Sequence, residues 1–355
     1  MKDDNALTVS HQELLRFISE VLEKKAVPKR EAKLISETLV AAHLRGVDTH
    51  GIIRLPIYLK RIDEGSLRSK ARASVIRETS TIALLDGHQS FGQVTGYKAM
   101  TLAINKAMDR GVGVVGVRNS EHFGTAAFFA MMALKKNMIG ISMTNTAPIM
   151  APAGGSEKLI GNNPIAFAIP AGKEIPVVLD ISMSVAALGK IILASQRGKK
   201  VPPGWGKDRA GTMTDDPAAI LQGGSLVPMG DHKGYGLAVI FDILCGVLTG
   251  SGFTTDVLSI YKDVNKPNRC GHFMMALKIN EFMPVSLFKK RMENMVKQIR
   301  GSVKAEGVER IYLPGEIEYL MERARTKNGI PIEKSLVRDL NSIASKLKVK
   351  PVSAW

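Results

Sequence analysis

Helically spaced apolar residues alternate along this chain with short β-branched runs, and that alternation restricts it to an α/β or mixed α+β fold. Leu14, Leu15, Ile18 and Val21 repeat at helical spacing, and so do Ala32, Ile35, Leu39 and Ala42, before Gly46 supplies a stop. Thr49 is placed to cap a short helix carrying His50 and Arg54 four residues apart on one face, although Pro56 interrupts a straight one. From residue 73 the pattern turns to strands, at 74–77, 81–86, 112–117, 139–144 and 177–180. Helices are predicted between them, over about 95–110 and 126–134, and later over 237–248, 285–301 and 316–326. The stretch 193–232 is rich in Gly and Pro and reads mostly as loop. A chain of 355 residues suits two or three intimately packed lobes.

Gly111-Val112-Gly113-Val114-Val115-Gly116 matches the glycine spelling of a dinucleotide-binding turn, but its context is wrong. That turn follows a strand and opens a helix. Here a helix comes first, and the β-branched residues among the glycines form the strand themselves. The spelling therefore carries no phosphate site, and any nicotinamide pocket must be built differently.

A net charge of +16 raises nucleic-acid binding. The basic residues argue against it, being interspersed with acids as in Lys289-Lys290-Arg291-Met292-Glu293, the pattern of a wet helix face. Aromatic residues are only 5% and never alternate with lysines as a base-stacking platform would require. Attraction of anionic substrates and cofactors is the better use of this charge. The only cysteines, Cys245 and Cys270, do not suggest a disulfide framework, and Cys245 lies in an apolar run typical of a core. Met1-Lys2-Asp3-Asp4-Asn5 has no apolar signal core, and the longest apolar run, 237–248, falls short of the ~20 residues of a membrane span. A cytoplasmic protein is expected.

Two histidines carry the chemistry. His50 lies in Arg45-Gly46-Val47-Asp48-Thr49-His50-Gly51 with Arg54 beyond it, and His122 in Arg118-Asn119-Ser120-Glu121-His122-Phe123-Gly124. Histidine passes protons near neutral pH, and a guanidinium grips a carboxylate with two prongs. His122, placed before a helix of small residues, would be kept neutral by the helix dipole and so be able to accept a hydroxyl proton; a polar cap is the competing account. Lys233, between Gly230 and Gly234, could meet a carboxylate, ribose or phosphate, or be a solvated loop lysine. Asp180 ends an apolar strand, where a carboxylate either contacts ligand or caps a turn. Glu316, in Leu313-Pro314-Gly315-Glu316, could meet a ribose, and turn chemistry explains it equally well. No cluster has metal-ligand spacing.

With these residues in view, the chain resembles the malate/L-lactate dehydrogenase family that stands apart from Rossmann-type dehydrogenases. The resemblance runs from about residue 9 to 348 and is carried by the two histidine motifs, Thr144-Asn145-Thr146-Ala147-Pro148, Gly161-Asn162-Asn163-Pro164, Leu179-Asp180-Ile181-Ser182, Pro203-Gly204-Trp205, Gly230 to Gly236 and Leu313-Pro314-Gly315-Glu316. It implies a homodimer with a non-Rossmann nicotinamide-binding fold. A helical N-terminal region (1–72), packed with C-terminal helices (285–355), would carry substrate residues, and residues 73–284 would form the nicotinamide-binding and catalytic domain. The resemblance further implies that His122 is the proton acceptor, as in ureidoglycolate-type members. Some imino-acid reductases instead use the histidine matching His50, supported by Thr49 and Asp180. Arg54 would bind the substrate carboxylate, and Thr146, Asp180, Ile181, Ser182, Lys233, Gly315, Glu316 and Ile317 match cofactor-binding positions. The expected reaction is NAD-dependent oxidation of malate to oxaloacetate. NADP, other 2-hydroxy acids (lactate, sulfolactate, ureidoglycolate) and cyclic imino acids stay open. The chain departs from the family at Thr49 (usually Ser), Asn162 (usually Thr), Ile181-Ser182 (usually Met-Ala) and Asp231 (usually Gly).

Overall fold

The computed structural model describes residues 6–70 and 73–354. The reading of Met1–Asn5, the domain limit drawn between residues 72 and 73, and the terminal Trp355 touch positions outside the described residues.

The chain opens with β1 (Ala6–Val9), α1 (His11–Lys24) and α2 (Lys29–Leu44). Ser10 caps α1 by accepting the Glu13 N–H at 3.1 Å. One face of α1 buries Leu14, Phe17, Ile18, Val21 and Leu22, and α2 buries Ala32, Ile35 and Leu39 against it, as the apolar spacing requires. Gly46, at φ 78°, ends this layer where a side chain would be strained. The single helix expected from Thr49 is instead two 3₁₀ turns, Asp48–His50 and Ile52–Arg54, followed by α3 (Leu55–Asp63). Pro56 lies in the first turn of α3, where its missing N–H costs nothing. Gly51 separates the two turns because a Cβ there would lie 2.2 Å from the His43 ring.

Next come β2 (Ser74–Glu78), β3 (Ile82–Asp86), α4 (Gly92–Arg110) and β4 (Val112–Ser120). The glycine run is strand, as its β-branched residues demanded: Gly111 is the left-handed cap of α4, and Gly113 lets α4 lie directly on β4. Helix α5 (Ala126–Ala130) is shorter than expected and tightens into a 3₁₀ turn, Met131–Lys136, before β5 (Met138–Thr144), β6 (Ile165–Ile169) and β7 (Val177–Ile181). The stretch read as loop holds the end of α6 (Leu188–Gln196), β8 (Gly206–Lys207), β9 (Met213–Thr214), α7 (Pro217–Leu221) and β10 (Ser225–Leu226). Strands of two residues are too short to show a period, which is why the sequence hid them. Helix α8 (His232–Asp242) continues as a π turn, Ile243–Val247. Then follow β11 (Cys270–Lys278), α9 (Val285–Arg300), α10 (Glu316–Asn328), β12 (Ile330–Glu333) and α11 (Lys334–Leu347).

The main sheet runs β2-β3-β4-β11-β5-β6-β7, and only β3–β4 is parallel. A doubly wound dinucleotide fold is mostly parallel, so this is a different α/β architecture, as expected. Helices α4 and α5 cover one face, burying Ala99, Met100, Ala103, Phe129 and Ala130 with Val115, Val117 and Met274. The N-terminal helices share their core with β12 and α11, and β1 pairs β12 antiparallel, so the two ends of the chain form one layer. Helix α9 meets the turn between β6 and β7, where Glu293 accepts the Lys173 N–H and Arg300 pairs with Glu174.

Candidate active site

Between the N-terminal helical layer and the sheet lies a cavity of about 780 Å³, in the upper part of the ~300–1,000 Å³ range of ligand sites. Its wall includes Thr49, His50, Arg54, His122, Thr146, Asp180, Ile181, Ser182, Gly315 and Ile317. Ten sequence-singled residues, from five separate stretches of chain, therefore converge on one space.

At one end the two imidazoles stack at 5.6 Å with their planes 23° apart. His122 hangs from the turn after β4. Gly92 permits this turn to approach, since a Cβ there would lie 2.0 Å from the Glu121 carbonyl oxygen. His122 Nδ1 lies 2.6 Å from Tyr58 Oη, which accepts the Gln93 amide N–H at 3.0 Å. His50 Nδ1 lies 3.0 Å from Thr49 Oγ1. Arg54 is braced by donating Nε–H to the Thr49 carbonyl at 2.7 Å and Nη1–H to Tyr261 Oη, with its guanidinium 5.4 Å from that ring's centre. One guanidinium edge is left to face an incoming acid.

Both imidazoles are held neutral. Burial and the Arg54 cation push His50 down to about 3. Burial, then Arg54, His50, His272 and Arg61, hold His122 well below the usual histidine range. The helix dipole assigned this task from sequence is not the main agent, because α5 spans five residues and begins four positions later. Protonation is opposed mainly by desolvation, with the cations adding to it. Tyr58 then decides what His122 can do. If its hydroxyl donates to Nδ1, Nε2 carries the hydrogen and can only donate. If the buried Gln93 amide turns so that its oxygen takes the Tyr58 proton, Nδ1–H points to Tyr58 and Nε2 is free to accept. Gln93 Oε1 has no partner as placed, so the amide is open to that turn.

The other end is built on β7 and the turn before α10. Asp180 accepts the Ala127 N–H at 2.9 Å through Oδ2, and the surrounding protein pushes its carboxyl up to about 6. It caps α5 in this way, and the same residue lines the cavity. Thr146 donates its hydroxyl to Asn162 at 3.0 Å and its N–H to Asn163 at 2.9 Å. Gly315 sits at φ 83° against β7, and Val178 N–H donates to the Pro314 carbonyl at 3.0 Å.

Two sequence candidates fall outside the cavity wall. Glu316 is 1% exposed and turned inward, held by Arg310, by Arg300 at 3.2 Å and by the Leu313 N–H. Two guanidiniums and the Leu313 N–H occupy that carboxylate and tie down the turn carrying Gly315 and Ile317. Lys233 is exposed on the first turn of α8, whose preceding Asp231 takes φ 54°, ψ −115°, a strained conformation that the family's usual glycine would adopt freely. Cys245 is buried in the core, as expected.

Sequence reasoning missed Tyr58, Gln93 and Tyr261. Tyr58 stands four residues after Arg54, so its helical spacing was a usable signal. His272, left aside in the sequence, is fully buried on β11 between Thr144 and Ser120, each at 2.8 Å. Its ring stacks on Phe123 at 4.5 Å, supporting the turn that carries His122.

The cavity fits a nicotinamide cofactor. Phe123, Leu179 and Pro314 offer apolar walls to flat rings, and the Asp180 and Ser182 oxygens offer partners for ribose hydroxyls. Among the described residues, no helix is long and apolar enough to cross a membrane, and no group of three His, Cys, Asp or Glu could hold a metal ion.

The family described as malate/L-lactate dehydrogenase matches residues 9–341. A malate dehydrogenase of Pyrococcus abyssi is 42% identical, over 98% of this chain and 97% of the relative. An L-sulfolactate dehydrogenase of Methanocaldococcus jannaschii is 39% identical, over 94% of this chain and 95% of the relative. The solved malate dehydrogenase of Pyrococcus horikoshii superposes with a TM-score of 0.90 at 39% identity, covering 98% of each chain.

Proposed function

Since the chain belongs to the malate/L-lactate dehydrogenase family, and is thereby a nicotinamide-dependent dehydrogenase of hydroxy-acid CH–OH groups, we propose that it oxidises malate to oxaloacetate with NAD. The observation that carries this reading is the convergence of a braced guanidinium and two neutral, stacked imidazoles at one end of a cofactor-sized cavity. Arg54 holds the C1 carboxylate through its free edge. His122 Nε2 accepts the C2 hydroxyl proton, and His50 with Thr49 orients the oxygen. The bound nicotinamide supplies the hydride acceptor. Thr146, Asp180, Ile181, Ser182 and the Gly315–Ile317 backbone hold the cofactor. Asp180 and Glu318 line the cavity, and Arg45 beside them is taken by Glu322 at 3.2 Å, an arrangement that disfavours the extra charge of a 2′-phosphate and favours NAD. Relatives named malate dehydrogenase support the choice of malate, a substrate with a second acidic group. Sulfolactate shares that feature, and a relative acting on it makes it the second reading.

A panel of malate, sulfolactate, lactate, ureidoglycolate and a cyclic imino acid, each read by nicotinamide absorbance with NAD and with NADP, tests this. Malate with NAD should give the highest kcat/KM; a preference for lactate or for NADP would overturn the assignment.

We place the protein in the cytoplasm and infer a homodimer. Leu237, Ile240, Val247 and Leu248 form an exposed apolar stripe on α8 and its π turn, the kind of patch that marks an interface. Sedimentation should give twice the 38.5 kDa chain mass; a monomer would count against it.

A further inference from the structure

Residues 258–268 contain no strand or helix, yet Leu258, Ser259, Ile260 and Tyr261 wall the acid end of the cavity. A segment without secondary structure needs outside partners for its backbone. Most of them come from one buried ion pair. Arg61 and Glu121 are 1% and 3% exposed and meet at 2.7 Å. Neither reaches the cavity wall, and burying two charges carries a large desolvation penalty. Their remaining side-chain hydrogen bonds go to this segment. Arg61 donates to the carbonyls of Asp263 at 3.2 Å and Lys266 at 2.9 Å, and Glu121 accepts the Asn268 N–H at 2.8 Å. Ser66 adds a hydroxyl to the Val264 carbonyl at 2.5 Å. The two ends of the segment are joined by Leu258 N–H to the Asn268 carbonyl at 2.9 Å. Held in this way, the segment brings Tyr261 onto Arg54.

The positions along α3 and its N-cap residue Arg54 make the same point. Arg54, Tyr58 and Arg61 are spaced i, i+4 and i+7, one stripe of a helix. The first meets Tyr261, the second meets His122 and the third meets Glu121, the residue preceding His122.

We propose that residues 258–268 form a strap that fixes the acid-binding guanidinium relative to the proton acceptor. In it, Tyr261 is the positioning residue for Arg54, and the Glu121–Arg61 pair is the pin. The inference rests on Arg54 as the anchor of the substrate carboxylate. Losing the Tyr261 hydroxyl frees the Arg54 side chain to leave the geometry that receives an acid, which raises KM for the acid. The chemical step, once the acid is bound, is unaffected.

The test uses the full chain with Tyr261→Phe and Glu121→Gln, steady-state kinetics, NADH binding by fluorescence and amide hydrogen exchange over 258–268. Tyr261→Phe should raise KM for the acid about fivefold to tenfold, the size of an ordinary net hydrogen bond. Its kcat should stay within about twofold, and NADH binding and exchange should be unaltered. Glu121→Gln should raise the same KM and also speed exchange across the strap. Unchanged KM in Tyr261→Phe overturns the positioning role, and unchanged exchange in Glu121→Gln overturns the pin. Should Glu121→Gln not fold, Tyr261→Phe decides alone, because its side chain is 55% exposed and outside the core. If the unaltered chain turns over no hydroxy acid, it is the functional reading that fails. Exchange in Glu121→Gln then still decides the pin: faster exchange upholds it and unchanged exchange overturns it.

Discussion

Replacing His122 with alanine is expected to lower kcat by about 10²- to 10⁴-fold, the usual contribution of a positioned proton-transfer group, while NADH affinity changes little. The reasoning is positional. Of the two stacked imidazoles, His122 is backed by a chain of polar groups, Tyr58 and Gln93, that can set which nitrogen is bare. His50 has only the Thr49 hydroxyl on its Nδ1 and is suited to orienting the substrate oxygen. His50→Ala should therefore raise KM more than it lowers kcat. Near-normal turnover in His122→Ala, with a large loss in His50→Ala, would exchange the two roles. The pH profile carries a sign. The acceptor must be neutral, and its pKa lies well below the usual value, so the neutral form persists as pH falls through 6.5. The acid limb of kcat/KM for oxidation should then lie well below the usual histidine value of ~6.5. A limb at the ordinary histidine value of ~6.5 would show that burial does not depress the group.

Gly113→Ala is expected to destabilise the fold by about 3 kcal/mol, at the upper end of overpacking effects, without changing cofactor affinity in the protein that folds. A Cβ at this position would lie 2.0 Å from the Ala103 carbonyl oxygen and 2.9 Å from Lys106 Cβ. Helix α4 would have to lift from β4, taking Ala99, Ala103 and Ala107 out of contact with the sheet. Thermal unfolding and an NADH titration measure the two effects separately. A glycine serving a phosphate would give the reverse outcome, weaker cofactor binding with stability nearly intact.

What could be read in the sequence follows the range of the interaction responsible. The helices α1 and α2 and the strand nature of Gly113 were legible because neighbouring residues decide them. His50, Thr49, Arg54 and His122 were legible because each sits in a compact motif of unusual residues. Strand β11 was not, although it lies at the centre of the sheet: its partners are 128 to 165 positions earlier, and nothing local says that its run of Phe273, Met274, Met275 and Ala276 pairs with both. Tyr261 belongs to a polar turn indistinguishable from solvated loop until Arg61 and Glu121 are seen holding it. Glu316 had the right neighbours in sequence, but nothing local shows that Arg310, six residues earlier, and Arg300, at the end of α9, both turn onto its carboxylate. Lys233 stands on a surface helix in the single chain.

The place of β11 also sets the order in which this molecule can come into being. With β4 and β5 both waiting for a strand that ends at Lys278, the nascent chain emerges with a gap in its sheet for most of its synthesis. The outer layer waits longer still, because residues 6–9 find their partner only at 330–333. Contacts this distant in sequence slow folding and leave strand edges unsatisfied meanwhile, so a ribosome stalled before residue 270 would hold a chain with neither a closed sheet nor a usable pocket.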